Sequence, residues 1–138
     1  MSEKQEVFDY MNKCGVLFLG TENGDKPKVR PLGFRMLVDN EIYFLTGKSK
    51  DLYTQMLKNT NVEFVGQNEG EFIRYYGRVV FEDDEDKTLL KKAFETMPML
   101  EQLYGDEGKD TAVIFRVQKA TAEIRDMFGI KKSYDFIS

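Results

Sequence analysis

The feature that most constrains this fold is a cadence of short apolar runs separated by tight-turn signals. Val16 to Thr21 reads as a strand, Asn23-Gly24 within ENGDKP as a hairpin turn, and a second strand begins near Lys28. Asp39-Asn40 supplies the next turn, and Glu41 to Thr46 returns as a third strand. Asn61 to Gln67 reads as another, and Asn68-Glu69-Gly70 turns into a longer one from Glu71 to Phe81. Thr111 to Met127 is β-rich, with Val113, Phe115 and Val117 alternating on one face.

Helical spacing appears in four places. Val7, Tyr10, Met11 and Cys14 predict a helix from about Ser2 to Lys13, with Gly15 as its C-terminal cap. Leu52, Met56 and Leu57 predict a second, from Ser49 or Lys50 to Leu57, closed by Lys58 and Asn59. The acidic run Glu82 to Asp86 leads a third, carrying Leu89, Leu90, Ala93 and Phe94, and is read as complementing the helix dipole. A short fourth helix is placed at Met99 to Tyr104, after Pro98. Roughly six strands joined mainly by hairpins do not match the βαβ alternation of a parallel sheet. The expected class is mainly β with peripheral helices, as one antiparallel barrel domain over residues 1–138.

Composition narrows the chemistry. The chain has 138 residues, no histidine, one cysteine and a formal net charge of -4. Without histidine, Ser-His and Cys-His nucleophile pairs and imidazole zinc sites are excluded. Cys14 alone forms no intrachain disulfide and is read as a small buried hydrophobe. No apolar run approaches the roughly 18 residues of a membrane span, and the N-terminus lacks a signal-peptide core, so a cytoplasmic location is expected. Arg74, Tyr75, Tyr76 and Arg78 mix bases and aromatics on one strand. Net acidity and the lack of an RNP-type motif argue against nucleic acid, and favour a packed core or a subunit interface.

One stretch, KVRPLGFRMLVDNEIYFLTGKSK from Lys28 to Lys50, points to an anion. If its first strand is regular, Arg30 shares a face with Leu32, Phe34 and Met36, where an arginine needs solvent or a charged partner. Pro31 donates no backbone hydrogen bond, which implies an edge or an opening in the sheet. The Thr46-Gly47-Lys48-Ser49-Lys50 turn adds two lysines and two hydroxyls just before a helix start, which favours anions. Spacing alone equally accommodates a solvated turn, with Ser49 as N-cap and both lysines exposed. GxxxxGK[ST] is absent, so nucleotide triphosphate hydrolysis has no support.

The VRPLGF segment at Val29 to Phe34 and the YFLTGKSK segment at Tyr43 to Lys50, in this order and spacing, resemble the pyridoxamine 5'-phosphate oxidase-like flavoproteins. The resemblance runs from about Glu6 to Arg125. It implies a six-stranded antiparallel split β-barrel that binds FMN as a homodimer, with FMN at the subunit interface. It places Arg30, Ser49 and Lys50 on the FMN phosphate, the backbone of Pro31 and Leu32 beside the isoalloxazine ring, and Leu45 and Thr46 along the cofactor. The partner subunit completes the pocket, through the Phe72 to Arg78 strand or the segment near Arg125. There is no tryptophan, and the tail IRDMFGIKKSYDFIS lacks the Arg- and Trp-containing motif of true pyridoxamine phosphate oxidases, so vitamin B6 oxidation is not expected. The expected activity is an FMN-dependent oxidoreductase, passing hydride or electrons from a reduced nicotinamide donor to a small-molecule substrate. The alternative is a non-catalytic module for a flavin or another planar ligand. FMN and a deazaflavin are not distinguished, and neither nucleic acid nor membrane is an expected partner.

Overall fold

The computed structural model describes residues 1–104 and 111–137. Its elements, in chain order, are α1 (Glu3–Cys14), β1 (Leu17–Asn23), β2 (Lys26–Leu32), β3 (Met36–Val38), β4 (Glu41–Gly47), α2 (Asp51–Lys58), β5 (Asn61–Asn68) and β6 (Glu71–Phe81). They are followed by α3 (Thr88–Thr96), α4 (Met99–Leu103), β7 (Ala112–Asp126) and β8 (Gly129–Asp135). Every strand pair is antiparallel, in the order β2-β1-β5-β6-β7-β4-β3, with β8 on the side of β7. The chain is thus mainly β with a few helices, as its turn cadence predicts.

The sheet has eight strands where the sequence predicts about six. One difference lies between Lys28 and Met36, which is not a single regular strand. β2 ends at Leu32, residues 33–35 leave the sheet, and β3 pairs with β4. Arg35 explains the break. Its guanidinium donates to the carbonyls of Met11 (2.6 Å), Gly15 and Gly33 (3.2 Å), and to Asn12 Oδ1 (3.2 Å). Met11 lies in the last turn of α1, whose carbonyls have no partner within the helix. The other difference is β8, whose hairpin turn centres on the apolar pair Met127-Phe128 between Asp126 and Gly129. There the Asp126 carboxylate accepts from the Phe128 N–H at 2.7 Å and closes the bend. The first hairpin also turns one residue later than Asn23-Gly24 implies. Asn23 pairs with Lys26, and Gly24 (φ 67°) is the first of two turn residues, the position at which a type II′ turn requires glycine.

The sheet is strongly curled. Seven strands laid flat would hold β2 and β3 ~29 Å apart, at ~4.8 Å per strand. The chain from Leu32 to Met36 reaches at most ~14 Å. Aromatic packing agrees: Phe44 of β4 stacks on Phe64 of β5 at 4.2 Å between centroids, although two strands stand between them in the sheet. Tyr75 and Phe115 complete this interior, and Val7, Met11, Leu52 and Met56 bring α1 and α2 against it. Outside the curl, Leu45 and Ile114 pack with Leu90, Ala93 and Leu100 from α3 and α4. β4 is therefore buried on both faces, which is why its sequence is a continuous apolar run.

Polar contacts tie the helices down. Lys4 is buried, with Nζ 2.7 Å from Glu41 Oε1 and 3.4 Å from the Tyr75 hydroxyl, and so anchors α1 to β4. Burial pushes the Tyr75 phenol well above its ordinary pKa, keeping it neutral. In the acidic run, Asp84 accepts from the N–H groups of Leu89 and Leu90 at 3.0 Å, so it serves α3 as a cap. Phe44→Ala is expected to cost about 3–5 kcal/mol in urea unfolding, by opening a cavity at the centre of the aromatic stack. Leu57→Ala, at a residue 55% exposed, is expected to stay within about 0.5 kcal/mol.

Candidate functional site

The curl brings together strand ends that are not sheet neighbours. Arg30, Pro31 and Leu32 from β2 meet Leu45 and Thr46 from β4 around a cavity of about 260 Å³. Lys50, Asp51 and Leu52 at the start of α2, and Tyr104 after α4, complete its lining. Of the residues expected to hold a cofactor, all but Ser49 line this cavity. Ser49 is exposed beside it. A larger cavity of about 510 Å³ lies elsewhere, against Cys14, Val16, Phe18, Val65 and Phe72, but it has no cationic side chain in its lining.

Arg30 is half-buried and held from behind. Nη1 donates to the Leu19 carbonyl (3.1 Å) and to Thr21 Oγ1 (2.7 Å), and Nη2 donates to Gln55 Oε1 (2.8 Å). The Thr21 hydroxyl in turn donates to the same Gln55 oxygen at 2.6 Å. A guanidinium carries five N–H groups. One on Nη2 and the one on Nε have no acceptor among the described residues. Burial lowers the Arg30 pKa and Asp51 opposes that shift, so the group remains a cation at neutral pH.

The basic turn differs from the expected N-cap. The Lys50 N–H donates to the Gly47 carbonyl at 3.0 Å, and Lys50, not Ser49, flanks α2. Among the described residues no side chain caps that helix start. The Tyr53 N–H donates to the Lys50 carbonyl at 3.1 Å, which leaves the N–H groups of Asp51 and Leu52 and the positive end of the helix dipole beside Lys50 and Arg30. Among the described residues Asp51 is the one carboxylate in the lining, and it works against an anion there. The set of donors suits a phosphate group, and Pro31, Leu32 and Leu45 offer an apolar wall next to it.

Three residues of this site escape a reading by local pattern. Thr21 and Gln55 are both buried and position Arg30. Thr21 follows Leu17 and Leu19 on the inward face of β1, so a polar residue in an apolar alternation was its one available signal. Gln55 and Tyr104 carry no such mark.

Among solved structures, a NimC/NimA family protein from Clostridium acetobutylicum matches with TM-score 0.86 and 26% identity, over 99% of this chain and 95% of that one. General Stress Protein 26 from Bacillus anthracis matches with TM-score 0.75 and 17% identity, over 99% and 100%. A pyridoxamine 5'-phosphate oxidase-related, FMN binding protein from Nostoc punctiforme matches with TM-score 0.68 and 12% identity, over 98% and 89%. No family model matches the chain, and no curated protein matches its sequence. The chain has the fold of the pyridoxamine 5'-phosphate oxidase-like proteins, the family its VRPLGF and YFLTGKSK segments resemble.

The Thr21–Gln55–Arg30 contacts predict an asymmetry in stability. Gln55→Leu removes the acceptor shared by Thr21 and Arg30 and should cost about 1–3 kcal/mol in thermal or urea unfolding. Arg30→Met leaves Thr21 and Gln55 bonded to each other and should cost less.

Proposed function

We propose that this protein binds FMN in the cavity between β2, β4 and α2, and acts as an FMN-dependent oxidoreductase on a small organic molecule. The observation that carries the reading is convergence. Residues from a helix start and from two strands that are far apart in the sheet supply cationic and backbone donors at one end of an apolar wall. In this reading Arg30, Lys50 and the N–H groups leading α2 take the phosphate, with Ser49 at the exposed side of the turn. Pro31, Leu32, Leu45 and Thr46 lie along the ring. Two of the similar structures are described as an FMN binding and a FAD-binding protein, which supports a flavin. A site built for one terminal phosphate favours FMN over FAD.

When bound, the flavin supplies the redox chemistry. The chain's own task is to orient it, neutralise its phosphate and restrict access to the ring. The electron donor in this reading is a reduced nicotinamide. The six strands β2-β1-β5-β6-β7-β4 form the split barrel, and β3 and β8 are additions to it.

A homodimer belongs to the same proposal. The outward face of β1 and β2 leaves Phe18 45% and Val29 69% exposed, an apolar surface suited to a second copy. Beside Phe18, Arg74 is ion-paired with Glu63 (2.5 Å), so its charge is balanced within the chain and is poorly placed to bind a nucleic-acid backbone. Tyr76, on β6 with Arg74, donates to Glu123 of β7 at 2.5 Å. Among the described residues no helix is long and apolar enough to cross a membrane, and a cytoplasmic site of action is part of the proposal.

Purified protein is expected to be yellow and to release FMN, identified by mass, at near one equivalent per chain. Arg30→Ala combined with Lys50→Ala should weaken FMN binding at least about a hundredfold, since each charged hydrogen bond is worth about 1.5–3 kcal/mol. Unchanged affinity in that double variant would sink the site assignment. Bound FMN that neither NADH nor NADPH reduces would leave a binding module in place of an enzyme. Sedimentation should give the mass of a dimer, and Phe18→Asp should shift it toward the monomer.

A further inference from the structure

We propose that Tyr104 is the aromatic side chain of this chain that lies against the flavin ring, and that residue 47 is glycine to make room for it. The inference rests on the flavin reading of the cavity. Among the described residues Tyr104 is the only aromatic one in the lining. Its backbone N–H donates to the Leu100 carbonyl at 2.7 Å, and Leu100 is buried in the cluster that holds α4 on β4. The ring is thus presented to the cavity from a packed helix.

Gly47 closes β4 opposite Ala112, in a backbone conformation that does not itself demand glycine. What it provides is space. A methyl group there would stand 3.1 Å from Tyr104 Cε1 and 3.3 Å from its hydroxyl. Glycine inside a strand is costly and marks a place where another group must come close. Here that group is the Tyr104 phenol, seated between the strand end and the basic turn.

The hydroxyl adds a second pointer. It makes no hydrogen bond to any described residue, whereas a partly buried tyrosine hydroxyl ordinarily finds a partner. Burial raises the phenol's pKa, so at neutral pH it is a donor with no acceptor among the described residues. A flat heteroaromatic ligand with acceptor atoms at its edge answers both features: the ring face for contact and the hydroxyl for one hydrogen bond.

The test compares FMN-loaded wild type with FMN-loaded Tyr104→Phe at equal occupancy. A phenol in contact with an excited flavin quenches its emission by giving up an electron, which returns as both relax. Phenylalanine is too poor a donor to do this, the chain has no tryptophan, and among the described residues no other tyrosine lines the cavity. Emission of bound FMN is expected to be weak in wild type and severalfold stronger in Tyr104→Phe, with the melting temperature of the flavin-free protein unchanged. Equal emission from the two proteins overturns the inference. A packing role alone would instead lower the melting temperature and leave the emission as it was.

Gly47→Ala gives an independent arm. It should raise the FMN dissociation constant severalfold in the wild-type background and have no effect in Tyr104→Ala. An equal effect in both backgrounds overturns the coupling of the two residues. Failure of the wild-type protein to take up FMN at all defeats the flavin reading itself, an outcome separate from bound FMN that ignores Tyr104.

Discussion

Arg35 ties the link between β2 and β3 to the end of α1, and through that link the two edges of the curled sheet stay within reach of each other. The cavity depends on this. Its two strand walls, Arg30 to Leu32 and Leu45 to Thr46, belong to strands separated by most of the sheet. A flat sheet would leave them on opposite margins. The aromatic interior supports the curl from inside, since Phe44, Phe64, Phe115 and Tyr75 fill the space that the strands enclose. Hydrophobic burial supplies the drive, and the carbonyl clasp of Arg35 fixes where the sheet must bend back.

The site's two kinds of positive charge are built differently. Arg30 is shielded and braced by Leu19, Thr21 and Gln55, so its field is little screened by salt. Lys48 and Lys50 extend into solvent from a turn stabilised by backbone bonds alone. They contribute a diffuse potential, which ions in solution weaken. The bare start of α2 stands between them and supplies directional N–H groups.

Much of the architecture is legible in local pattern. The hairpin at Glu69-Gly70, the apolar alternation of β7 and the helical spacing of Val7 and Met11 each come from neighbours along the chain. The places where pattern fails share a cause: they are decided by residues distant in sequence. β2 stops at Leu32 because Arg35 turns toward carbonyls of α1. β8 forms because β7 offers it an edge, across a turn whose central Met127-Phe128 pair is apolar and whose only turn signals are the flanking Asp126 and Gly129. Ser49 is not the cap, because Lys50 closes back on Gly47 and the helix begins one residue later than hydroxyl spacing implies. Within the site, Arg30, Pro31, Leu32, Leu45, Thr46 and Lys50 were reachable from two short segments and their family resemblance. Gln55 was not, since its role exists only through hydrogen bonds to Thr21 of β1 and Arg30 of β2.

The bracing of Arg30 has a kinetic side. A free arginine surrenders roughly 2 kcal/mol of rotamer entropy when a ligand fixes it, and a guanidinium already held by three protein acceptors has lost most of that on folding. On the proposed reading, an arriving phosphate meets a rigid fork and need not wait for a side chain to settle. Association becomes a matter of diffusion and of the exposed lysines steering the anion inward. On the same reading the residence time is set by how firmly the half-buried arginine holds on.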